Sequence, residues 1–247
     1  MSLSLTLGLC ATMLITSFLS GIFGMAGGMI LMGILLGIMP LPAAMMLHGA
    51  TQMASNGWRG LLWYRRVRWL AVAAYGSGCM VALLLWSLVR YVPDRPSALL
   101  LLGVMPFAVQ LAPAQWRPHP EALWQGIVCG SICMTMILLA GVAGPLVDTY
   151  FLGGTLDRRE IVATKATCQI FGHAAKLVYF GGIIDQVGVI EPFTVGLAIA
   201  ASMVGTTLAS HVLEAMSDRQ YRLWANRIIV AVAASYIAHG TYLILSS

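Results

Sequence analysis

The sequence predicts an all-α polytopic membrane protein of two inverted repeats, each with one long glycine-broken segment, re-entrant or double, plus three transmembrane helices. Composition is the first observation behind this. Of 247 residues, 59% are hydrophobic and 9% charged, against about 25% charged in a soluble domain. The second is length: several stretches exceed the roughly 18 apolar residues that mark a membrane helix. The third is an internal repeat. A shift of 117 positions, the distance from His48 to Lys165, carries Gly24, Ala26 and Gly27 onto Gly141, Ala143 and Gly144.

Taken in order, the apolar segments fall at about 5–38, 42–64, 69–89, 97–113, 122–153, 160–181, 190–213 and 220–245. The first is read as a membrane segment rather than a signal peptide, because it lacks a basic start and a small-residue cleavage site. It is also too long for one crossing: at 1.5 Å per residue, more than 30 residues exceed the roughly 30 Å hydrocarbon core by about half. Near its middle it reads Ser20-Gly21-Ile22-Phe23-Gly24-Met25-Ala26-Gly27-Gly28, and glycine there costs helix stability. The fifth segment repeats the length and the break, as Ala140-Gly141-Val142-Ala143-Gly144-Pro145, with proline removing a backbone donor. Non-helical backbone at membrane depth is tolerated only where protein or a water-filled cavity covers it. Charged or proline-bearing joints separate the other segments. The joint at 114–121 divides repeat one (1–115) from repeat two (121–247) of a single membrane transporter domain, 1–247.

Loop arginines set the orientation. If each long segment enters and returns to the same side, Arg65, Arg66, Arg68, Arg117, Arg158, Arg159, Arg219 and Arg222 share one face, and only Arg90 and Arg95 lie on the other. The positive-inside rule then places both termini outside. Three full crossings per half, an odd number, invert one half relative to the other, as in many secondary transporters.

The second and sixth segments each carry a polar stripe. His48, Gln52, Asn56 and Arg59 are spaced for one helical face, and so are their counterparts Lys165, Gln169, His173 and Lys176. The chain's two lysines both belong to the second stripe. A cation inside a membrane costs at least about 2.5–3.5 kcal/mol on insertion scales. Singly, Arg59, Lys165 or Lys176 reads as a side chain snorkelling to the interface, and Gln52 or Gln169 as an interhelical hydrogen bond. Their pairing at one offset favours a binding role. Arg59 and Lys176 would supply charge, Asn56 and His173 hydrogen bonds, and Gln52 and Gln169 the deepest contacts, a lining suited to an oxyanion. Glycines 24, 27, 28, 141 and 144 (Gly24, Gly27, Gly28, Gly141, Gly144) would let backbone approach the ligand, with helix N-termini favouring negative charge. His48 and Lys165 are secondary candidates. Asp148, the one acidic residue well inside a segment, is read either as an ion-pair partner of a lysine or as a coupling site.

These features resemble the TauE/SafE sulfite exporter family, also called the 4-toluene sulfonate uptake permease (TSUP) family. The resemblance rests on Gly21-x-x-Gly24-x-x-Gly27-Gly28, on its second copy Gly141-x-x-Gly144, and on Ala50-Thr51-Gln52 with Ala166-Thr167-Cys168-Gln169. It implies a multi-pass carrier of the bacterial inner membrane for sulfite, sulfonates, sulfoacetate or similar anions. Met25-Ala26 and Pro145 depart from the family's usual glycine-rich run.

The expected function is therefore secondary transport of a small sulfur-containing or organic anion by alternating access. A passive anion channel and a non-transporting accessory subunit are the alternatives. Expected partners are the anion, protons or another coupling ion, the lipid bilayer, and a second copy in a homodimer. No metal, cofactor or nucleic-acid partner is expected: the net charge of +5 is loop-borne, and no hydrolase, zinc or P-loop motif occurs.

Overall fold

The computed structural model describes residues 3–23, 25–111, 120, 122–152, 156, 158–184 and 191–246, and no strand occurs among them. The helices are α1 (Leu3–Phe23), α2 (Met25–Ile38), α3 (Leu41–Leu62), α4 (Trp69–Val89), α5 (Arg95–Leu111), α6 (Leu123–Ala140), α7 (Gly144–Leu152), α8 (Arg158–Val178), α9 (Pro192–Ala215) and α10 (Asp218–Leu245). A 3-10 turn (Tyr64–Arg66) follows α3, and a π-turn (Tyr179–Ile184) follows α8. The joint expected at 114–121 lies outside the described residues, apart from Pro120.

Among the described residues, five helices are long and apolar enough to cross a membrane: α1, α4, α6, α9 and α10. The chain is thus a multi-pass, all-α membrane protein. The polar stripes keep α3 and α8 out of that group, although at 22 and 21 residues they are no shorter than α1, α4 and α6.

Each long segment resolves into two helices. α1 ends at Phe23 and α2 begins at Met25; Gly24, at the break, lies outside the described residues. The chain reverses here, because a Cβ on Gly27 would overlap the Thr16 carbonyl and Ser20 backbone of α1. In the second half α6 stops at Gly141, whose φ of +84° is left-handed and whose N–H donates to the Ile137 carbonyl. Only glycine adopts this conformation without steric cost. α7 follows after two residues, with Pro145 in its first turn, where a missing N–H leaves no bond unmade. Its nine residues span only about 13 Å at 1.5 Å each, less than half the core.

The 117-residue shift carries α1 onto α6 and α4 onto α9. The most extensive packing joins α1 to α9 and, equivalently, α4 to α6. α5 packs on α10 and α3 on α8, each helix against its own counterpart. Small residues set the approach. A Cβ on Gly205 would overlap the Leu14 carbonyl of α1, and one on Gly78 or Gly130 would overlap backbone across the α4–α6 interface. Without a hydrophobic drive between helices in lipid, such close backbone packing supplies the association.

Candidate functional site

α3 and α8 run antiparallel. A Cβ on Gly49 would meet Lys176 and Leu177, one on Gly57 would touch Ile170, and one on Gly60 would meet Thr167. The polar stripes are therefore brought face to face in opposite directions. His48 meets Lys176 and His173, while Arg59 and Lys165 lie at the far ends of their stripes.

A small, partly open cavity, with free space for about one water molecule, sits where this helix pair meets both breaks. α3 contributes His48 and Gln52, and α8 contributes Gln169 and His173. Ser20 of α1 and Gly28 of α2 line it from the first break. Val142, Ala143, Gly144 and Val147 line it from the second, with Ile137 of α6. The amino end of α7 therefore borders the cavity. That end carries partial positive charge and favours an anion.

Hydrogen bonding joins the halves behind the wall. His48 Nε2 lies 2.9 Å from the Gly28 carbonyl. A carbonyl only accepts, so Nε2 carries the proton and Nδ1 presents a lone pair. Lys176 Nζ, 2.9 Å away, donates to that lone pair and also to the Gly141 carbonyl at 3.0 Å. One chain of three hydrogen bonds thus ties α2 to the second break through a side chain from each half. The Lys176 side chain is fully buried, and Gly49 opposite gives its stem room.

Two buried polar atoms on the lining have no protein partner among the described residues: Gln52 Nε2 and His173 Nδ1. Gln52 and His173 are each 3% exposed. An unmatched buried polar atom costs about 1–3 kcal/mol, so in a native site such an atom is matched by ordered water, an ion or a bound group. The His48 and His173 rings lie 5.5 Å apart in a tilted contact.

The residues singled out from sequence separate into three groups. Gly28, His48, Gln52, Gly144, Gln169 and His173 line the cavity. Gly27, Gly141 and Lys176 stand just behind it, Gly27 packing α2 on α1 and Gly141 accepting from Lys176. Asn56 and Arg59, both buried, lie farther along α3, and Lys165 pairs with Asp148 of α7. Ser20, Val142 and Val147 line the cavity without having been singled out for binding. Ser20 lies in the recognised break. The valines carry no polar signal, because a break contributes through backbone.

A model of the sulfite exporter TauE/SafE family matches residues 9–236. Neither curated proteins nor solved structures yield a match to the chain.

Proposed function

The chain belongs to the TauE/SafE sulfite exporter family, a family of membrane transporters, and on that premise we propose that it is a secondary transporter for a small sulfur-containing or organic anion such as sulfite, a sulfonate or sulfoacetate. It works by alternating access in the bacterial inner membrane, with both termini periplasmic. The antiparallel packing of α3 on its counterpart α8 supports inverted halves, since a two-fold axis lying in the membrane plane reverses one such helix relative to the other.

The observation that carries the reading is the pair of partnerless polar atoms, Gln52 Nε2 and His173 Nδ1, on two residues that line a cavity bordered by the amino end of α7. The Gln52 amide donates to an oxyanion directly, and His173 donates in the tautomer protonated on Nδ1. Arg59 supplies positive charge farther along α3, and Asp148 neutralises Lys165 beside α7.

Flux of radiolabelled sulfite and methanesulfonate into liposomes tests this. Gln52→Ala and His173→Ala each lower the apparent affinity by about tenfold or more, as expected for losing a hydrogen bond to a charged group. Accelerated exchange when unlabelled anion is present on the far side distinguishes a carrier from a channel. Undiminished flux in a folded Gln52→Ala/His173→Ala double variant defeats the site assignment.

A further inference from the structure

We propose that Lys176 Nζ is a proton-binding site linked to the anion, so that each anion bound in the cavity brings one proton with it. The inference rests on the anion-transport reading above and adds the coupling ion.

The geometry admits both protonation states of Lys176 without rearrangement. Nζ makes two hydrogen bonds as donor, to His48 Nδ1 and to the Gly141 carbonyl. A neutral amine has two N–H bonds and satisfies both contacts, with its lone pair left over. Adding a proton at that lone pair gives an ammonium that keeps both. His48 is a poor seat for the proton, since Nε2–H is committed to Gly28 and Nδ1 already accepts from Lys176.

The missing element is a counter-charge. Lys176 forms no ion pair among the described residues, and both its acceptors are neutral. The titratable groups around it are His48 on α3, His173 on its own helix, and Tyr179 on the following turn, whose hydroxyl donates to the Tyr91 carbonyl. At the carboxyl end of α6, the Gly141 carbonyl is its one hydrogen-bond partner among the described residues. The carboxylate on α7, Asp148, bonds to Lys165. Lys165 lies three helical turns away along α8, roughly 16 Å at 1.5 Å per residue. Arg59 stands at a comparable remove from His48 on α3. A fully buried ammonium without a partner is strongly disfavoured. An anion in the cavity, which His48 and His173 line and Lys176 backs, supplies the absent negative charge through a low-dielectric wall. Anion binding and protonation therefore favour each other, and by linkage they do so reciprocally.

Calorimetric titration of the purified full chain in nanodiscs tests this. Thiosulfate and methanesulfonate are the probes, because both stay fully ionised at neutral and alkaline pH and carry no proton of their own. Repeating the titration in buffers of different ionisation enthalpy reads the protons taken up per anion. The wild-type protein takes up about one proton per anion at alkaline pH, where Kd rises about tenfold per pH unit. Lys176→Arg, which is permanently charged, binds with that uptake abolished. His173→Gln weakens binding but keeps proton uptake per bound anion. Wild-type binding without proton uptake overturns the coupling and leaves the anion site standing. Loss of uptake in His173→Gln, or full uptake in Lys176→Arg, places the proton elsewhere and overturns the assignment to Lys176. Should Lys176→Arg fail to fold, Lys176→Met, which holds no proton, takes its place and is likewise expected to abolish the uptake; full uptake in it overturns the assignment. Absence of binding heat with either probe overturns the anion reading as well.

Discussion

Asp148 and Lys165 bond to each other where α7 lies against α8, with side chains 16% and 5% exposed. Removing one partner of a buried pair leaves the other charge uncompensated, at about 3–5 kcal/mol, whereas replacing both with apolar groups of similar size is often neutral. Asp148→Ala is therefore expected to lower the melting temperature markedly, and Asp148→Leu/Lys165→Met to recover most of the loss. Thermal unfolding in detergent followed by tryptophan fluorescence measures both. The backbone gives a second prediction at this scale. Gly141→Ala forces a left-handed φ on a residue with a Cβ, costing about 1–2 kcal/mol, and the added methyl meets the Met32 side chain. Because the Gly141 carbonyl anchors Lys176, this variant is expected to lose transport as well as stability. A stable variant with unchanged flux would detach the break from function.

At the scale of single elements, helix ends differ in how they are held. Asp94 precedes α5 in a loop outside the spanning segments, and its carboxylate accepts from the Ser97 backbone N–H at 2.8 Å. Hydrogen bonds from the Ser97 side chain and backbone hold its carboxyl below the usual aspartate range. A carboxylate depressed in the folded state stabilises above its unfolded pKa, about 3.9, and that contribution is lost as pH falls through the folded value. Hydrogen exchange at residues 97–99 is thus expected to accelerate, relative to the rest of α5, as pH drops below about 4. Asp94→Asn should show no such step. α10 starts on a capping box, with Ser217 accepting from the Gln220 N–H and Gln220 reaching back to the Ser217 N–H. Ser217→Ala is expected to cost about 1 kcal/mol, read as local exchange in the first turn. The α4–α6 contact rests on backbone proximity at Gly130, so Gly130→Val, which must push Tyr75 backbone aside, should prevent folding rather than tune it.

For the molecule as a whole, orientation is the property to check. The proposed orientation gathers the loop arginines on the cytoplasmic face and leaves both termini periplasmic. Alkaline phosphatase fused after Ser247 should be active in intact cells, and a fluorescent protein that fails to mature outside the cytoplasm should be dark there. The reverse result would turn the whole reading over. Equivalent packing of α1 on α9 and of α4 on α6 gives the molecule two copies of one interface. The alternating access proposed above would exchange the roles of these two interfaces around a site near the pseudo-axis.

The sequence by itself determined that the chain is an all-α membrane protein, where its two breaks fall, and which residues form the polar stripes. These are local properties: hydropathy over a helix length, glycine at a break and a repeat offset are all written along one strand of chain. Gln52, Gln169 and His173 could be picked out for the same reason, as polar residues at helical spacing in apolar surroundings. Only the tertiary structure decided which stripe residues meet. Because α3 and α8 cross antiparallel, His48 faces Lys176 instead of its repeat counterpart Lys165. Asp148, left open between two lysines by spacing, bonds to Lys165. Lys176 consequently stands behind the cavity wall, held by carbonyl and imidazole, since helix direction and register depend on contacts between residues more than a hundred positions apart.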